Sequence, residues 1–89
     1  SLDIPNAFTP NNDGINDSYK LFGKDLTFVN YQIYSRWGEL IFEGNSINDA
    51  WDGSFRNQAL ESQIFLMRLK ASGKDGRKFE KTGKIKLIR

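Results

Sequence analysis

Val29-Asn30-Tyr31-Gln32-Ile33-Tyr34 decides the fold class. Apolar Val29, Tyr31 and Ile33 alternate with Asn30, Gln32 and Tyr34, a period of two that belongs to a strand buried on one face. Leu40 and Phe42 resume the pattern after a break at Gly38, so residues 28–43 read as a hairpin turning near Trp37-Gly38. Residues 63–72 are the most apolar run of the chain. Phe65, Met67, Leu69 and Ala71 line one side of it, and Ile64, Leu66 and Arg68 the other. A turn over residues 72–76 leads to a last strand with Ile85 and Leu87 inward and Lys84, Lys86 and Ile88 outward. Shorter strands are expected at residues 4–8 and 18–22.

Turn signals recur at Asn12-Asp13-Gly14, Phe22-Gly23, Trp37-Gly38, Asp52-Gly53 and between Gly73 and Gly76. No run of about ten residues carries the helical period, and residues 57–63 have room for one helical turn at most. Six or seven short strands at this spacing predict an all-β, antiparallel β-sandwich. The 89 residues make one domain, residues 1–89, with no internal repeat or linker. A domain of this length is near the lower limit for a self-sufficient core. Its aromatic content of 13% matters for that reason, since each ring buries on the order of 150–250 Å².

The chain contains neither cysteine nor histidine. Disulfides, Cys/His zinc sites, catalytic thiols and every imidazole-based triad are thereby excluded. No glycine-rich phosphate loop is present, and no pair of carboxylates is marked as an acid/base couple, so the reading is non-catalytic and cofactor-free. No apolar window approaches the ~18 residues of a membrane-spanning helix. The net charge of +2 hides a gradient. Residues 1–44 hold three cations and six acids, and residues 45–89 hold ten cations and five acids. The lysines of the last strand alternate with apolar residues, as on a solvated strand face, and they lack the stacking platform that nucleic-acid binding would require.

Three places stand out as candidate sites. In Thr9-Pro10-Asn11-Asn12-Asp13-Gly14-Ile15-Asn16-Asp17, the oxygens of Asn11, Asp13 and Asp17 are spaced for a calcium loop, but Lys20 stands where a bidentate Glu belongs. The plainer reading is an Asx-rich turn in which Gly14 supplies positive φ. Arg36-Trp37-Gly38 puts a cation and a large aromatic in a turn. Either Trp37 folds over the end of the sandwich while Arg36 pairs with Asp13 or Asp17, or the two stand out as an interface anchor. In Trp51-Asp52-Gly53 the expectation is a buried Trp51 with Asp52 capping backbone N–H groups.

Taken together, residues 4–17 (with Pro5, Phe8, Pro10 and Gly14), Ile33-Tyr34-Ser35-Arg36-Trp37-Gly38-Glu39-Leu40-Ile41-Phe42, Trp51-Asp52-Gly53 and Gly83-Lys84-Ile85-Lys86-Leu87-Ile88-Arg89 resemble the gliding-motility-associated C-terminal domain, the type B sorting domain of the Bacteroidetes type IX secretion system. The chain departs from the pattern after Gly53. Asn57-Gln58 stands where the family commonly has Asn-Gly, and Gln63-Ile64-Phe65-Leu66-Met67 where it has Gly-x-Tyr-x-Tyr. The resemblance implies an immunoglobulin-like sandwich cut from a larger secreted protein, and a non-catalytic C-terminal signal. Cargo carrying it passes through the periplasm and across the outer membrane, to be released or held at the cell surface. The implied partner is the type IX machinery with a PorP/SprF-like outer-membrane protein, and a monomer is expected. Asn11, Asp13, Asp17, Arg36, Trp37, Lys84, Lys86 and Arg89 are the candidate recognition residues. The competing function is an immunoglobulin-like adhesive or carbohydrate-binding module that stacks sugars on Trp37 or Tyr34.

Overall fold

Runs that alternate apolar and polar residues must bury one face, and the two longest such runs lie side by side in the middle of one sheet. The computed structural model describes residues 2–11, 14 and 17–89. Along the chain come β1 (Leu2–Asp3), β2 (Ala7–Phe8), β3 (Phe22–Gly23), β4 (Leu26–Tyr34), β5 (Leu40–Gly44), β6 (Ser54–Phe55), β7 (Gln58–Ala59), β8 (Gln63–Gly73) and β9 (Lys78–Leu87), with no helix among the described residues. Five strands form a sheet in the order β2-β9-β8-β4-β5. β1 with β3 and β6 with β7 make two small pairs, and a single bridge joins Tyr19 to Trp51.

The sheet buries the face that the alternation predicts. Val29, Tyr31 and Ile33 of β4, Phe65, Met67, Leu69 and Ala71 of β8, and Ile85 and Leu87 of β9 are all buried. Phe8, Tyr19, Leu21 and Trp51 complete the cluster. The rings touch in series: Trp51 lies 4.9 Å from Phe65, Phe8 5.3 Å from Trp51 and 6.0 Å from Tyr19, and Tyr19 6.1 Å from Tyr31. Each buried polar tip finds an acceptor. The hydroxyl of Tyr19 donates to the Pro5 carbonyl at 2.8 Å and that of Tyr31 to the Asp49 carbonyl at 2.7 Å, while Trp51 Nε1 donates to the Ser54 carbonyl at 2.9 Å. This all-β sandwich is the architecture expected from the periodicity.

Three details differ from the expectation. The strand anticipated at residues 4–8 shrinks to β2 with a separate β1 before it, and that at 18–22 to the Tyr19 bridge and the first residue of β3. β2 runs parallel to β9, with Ala7 opposite Lys86 and Phe8 opposite Leu87, so the sheet is not wholly antiparallel. A parallel pair needs a long crossover, and nearly the whole chain lies between these two strands. Finally, residues 57–63 contain no helical turn. Arg56 (φ 53°) and Asn57 (φ 67°) form the two-residue turn of the β6–β7 hairpin, with both central residues left-handed as a type I′ turn requires. Asn is one of the few side chains that tolerate this conformation.

Two outcomes are expected. Trp51→Ala removes the ring between Phe8 and Phe65 and should cost about 3–5 kcal/mol in urea unfolding. Burial raises the hydroxyl pKa of both Tyr19 and Tyr31 well above the ordinary tyrosine value. The folded state therefore holds protons that the unfolded chain gives up above about pH 10. Stability should be unaffected by these groups below that pH and fall above it, with the fall reduced in Tyr19→Phe and Tyr31→Phe.

Candidate recognition surface

The tip between β4 and β5 is built on Ser35. Its side chain is buried, and its Oγ accepts the N–H groups of Trp37 and Glu39, both at 3.2 Å. The Ser35 N–H donates to the Glu39 carbonyl at 2.9 Å, the Gly38 N–H to the Ser35 carbonyl at 2.9 Å, and Gly38 takes φ +88°. A hydroxyl that holds two amides fixes a turn that few other residues could close. The consequence is that Trp37 projects outward, 82% exposed, with the Arg36 guanidinium 5.0 Å from its ring. Trp37 does not fold over the end of the sandwich. Arg36 lies over the indole, and Asp17 receives a different donor.

The tip stands at the end of the sheet where β8 begins and β9 finishes, because Tyr34 is opposite Leu66, Leu66 opposite Lys84, and Gln63 opposite Leu87. Arg36, Ser62, Ile64, Leu66 and Lys84 line an open groove there, and Leu66 and Lys84 continue it along the outer sheet face toward Tyr34 and Arg68. Ile64 and Leu66 are 44% and 41% exposed. Apolar residues on both faces of β8 break the polar-outward rule of a half-buried strand. That break was visible in the sequence, although nothing in the sequence connected it with the tip. Lys86, opposite Ile64, is exposed on the same face.

Arg89 is placed differently. Its Nη2 donates to the Gly53 carbonyl at 3.1 Å, its Nη1 to the Pro10 carbonyl at 3.3 Å, its Nε to the Leu60 carbonyl, and its backbone N–H to Ser62 Oγ at 2.7 Å. Three of the sequence motifs thus meet at one guanidinium. Gly53 has φ +83°, and a Cβ there would lie 3.0 Å from Arg89 Nη2 and 3.3 Å from Leu87 Cδ1, so glycine is required twice over. Trp51 is buried, and Asp52 caps as expected, its Oδ1 accepting the Ser54 N–H at 3.0 Å and the Ser54 hydroxyl at 2.5 Å. The Ser54 hydrogen bond, helped by the charge of Arg89, holds the Asp52 carboxyl below the usual carboxylate range.

In the Asx-rich segment, Gly14 has the positive φ expected of it, +80°, and its N–H donates to Asp17 Oδ2 at 2.8 Å. Pro5 lends its carbonyl to Tyr19, and Asn11 donates its N–H to the Thr9 carbonyl at 2.9 Å. Asp13 lies outside the described residues. Of the residues considered for calcium, the described ones offer the Asp17 carboxylate, whose Oδ2 takes the Gly14 N–H, and the Asn11 carboxamide, against the six to eight oxygens that the ion takes.

Ser54→Ala should raise the titration midpoint of Asp52, read by NMR. A carboxyl whose pKa is lowered in the folded state stabilises above the unfolded value and loses that contribution as pH falls through the folded one. The variant should therefore give up part of its stability at neutral pH and show a weaker loss on acidification. Arg89→Met should cost about 1–2 kcal/mol, since it strips three backbone carbonyls of an ionic donor at a partly solvated site.

A family model described as the CHU_C type IX secretion signal domain matches residues 2–87. Comparison with curated proteins and with solved structures gave no match. An all-β sandwich that carries the four expected motifs in order, matched over nearly its whole length, belongs to the type IX secretion signal domain family.

Proposed function

We propose that this domain, residues 1–89 acting as a single unit of a larger secreted protein, is the signal by which type IX machinery selects its cargo. The machinery moves that cargo from the periplasm across the outer membrane and leaves it outside or attached to the surface. The partner is a PorP/SprF-like outer-membrane protein, and the domain's part is to be recognised, without catalysis. The observation that carries this reading is the family match over residues 2–87. The exposed Arg36-Trp37 pair on its Ser35-braced tip supports the choice of contact, because rigidly held Trp and Arg are the side chains that dominate interface energetics. Lys84 and Lys86 add positive charge along the adjoining face, while the Asn11–Asp17 segment remains a second candidate contact. Arg89 contributes by holding the surrounding segments in place.

A second reading deserves a test because Trp37 is so exposed. A carbohydrate-binding module would stack a sugar on the free face of that indole. A periplasm-directed fluorescent protein fused to residues 1–89 separates the two in a host with intact or disabled type IX secretion. Export of the fusion only with intact machinery is expected, and Arg36→Ala/Trp37→Ala should lower it at least ~10-fold, the scale of a single interface hot spot, with the melting temperature preserved. Undiminished export of the folded double variant removes the tip from the recognition surface. Glycan binding that Trp37→Ala abolishes, with export unaffected by the presence of the domain, favours the carbohydrate reading.

A further inference from the structure

The register of β9 against β8 runs without a shift from Ser72 opposite Lys78 to Gln63 opposite Leu87. In an unshifted strand, the N–H and C=O of alternate residues point to the same side. The Arg77 carbonyl faces β8, accepting the Gly73 N–H at 2.8 Å. Lys86 faces the other way, its N–H donating to the Asn6 carbonyl at 2.8 Å, and the Ile88 N–H donates to the Phe8 carbonyl at 3.0 Å. By the same alternation the backbone groups of Glu80, Thr82 and Lys84 point away from β8. β2 covers that edge only at Lys86 and Leu87. Among the described residues, no other strand claims the outward donors and acceptors of Glu80, Thr82 and Lys84.

Two other observations bear on what fills the place. Residues 80–84 are all exposed, so this stretch of β9 is open to solvent. The side chains flanking it are basic: Lys78, Lys81 and Lys84 are all exposed, and Glu80 lies against Lys70 at 3.8 Å. Lysines on an edge repel ordinary strands, and they admit one that brings its own acids.

We propose that the open edge of β9 at residues 80–84 is a docking site for an extended, acidic segment of a protein partner, which prolongs the sheet beside β2 by main-chain pairing. The proposal rests on the secretion-signal reading and states the chemistry of the contact. Lys84 also lines the groove that runs to Arg36, so edge and tip form one surface.

Thr82→Pro deletes an outward N–H that no strand of the domain accepts, and proline is tolerated on an edge, so the fold should survive. Thr82→Val keeps the N–H and is the control. Lys81→Glu/Lys84→Glu keeps the whole backbone and reverses the charge. In the fluorescent-cargo assay, wild type and Thr82→Val should be exported, while Thr82→Pro and the charge reversal should each fall at least 10-fold, with circular dichroism and melting temperature preserved. Normal export of folded Thr82→Pro overturns the edge proposal and leaves the secretion-signal reading standing. Should Thr82→Pro fail to fold, normal export of the charge reversal overturns it instead. Failure of the wild-type domain to direct export by intact machinery removes the secretion-signal reading and the proposal with it. A wild-type dimer in sedimentation equilibrium that folded Thr82→Pro dissolves makes a second copy the occupant and overturns the acidic partner.

Discussion

Trp51 stands edge-on against Phe65 at an interplanar angle of 85°, and the domain is arranged so that this contact stays dry. A five-stranded sheet with one apolar face needs a cover, and the other described pairings are short: β1 with β3, β6 with β7, and the Tyr19–Trp51 bridge. Aromatic side chains make up the difference. Trp51, Phe8 and Tyr19 come from segments with little regular structure, yet they bury nearly all of their surface against the strands. Their ring-to-ring contacts add about 0.5–1.5 kcal/mol each beyond the area they bury. The polar tips of Tyr19 and Trp51 are tied to the carbonyls of Pro5 and Ser54, and Tyr31 in the sheet is tied to the carbonyl of Asp49, so the cover is pinned in register as well as packed.

The parts of this fold that could be read from the sequence are those governed by a repeating physical rule. β4, β8 and β9 alternate, and each buries the face that the alternation names. The turn glycines Gly14, Gly38 and Gly53 all adopt positive φ, where a side chain would be strained. The parts that could not be read depend on partners distant in sequence. Nothing local in Ala7-Phe8 says that it pairs parallel to Leu87, and nothing in Arg89 says that its guanidinium reaches Pro10, Gly53 and Leu60. Arg56-Asn57 was hidden for another reason, since arginine seldom occupies the first position of a primed turn.

The same division holds for the candidate site. Arg36 and Trp37 attract notice as a cation and an indole in a turn, but the residue that makes them prominent is Ser35, whose buried hydroxyl holds the loop open. A small polar residue between two strands carries no signal of its own. Rigidity at this tip matters energetically, because a large side chain already held in place loses less entropy on binding than one that must be ordered. Exposure and order are usually opposed on a small protein, and here one hydroxyl reconciles them.

The pairing of β2 with β9 has a bearing on timing. The second strand of the domain and the last are direct neighbours, and Arg89 closes over both Pro10 and the β6–β7 hairpin. Such long-range closure makes acquisition of the native state slow and all-or-none. A translating ribosome or a protease that left only part of the domain would leave no half-formed version of this surface. A receptor reading the surface proposed above would therefore also be counting residues: it would meet the surface only on chains that have been made, and have folded, through to the last strand.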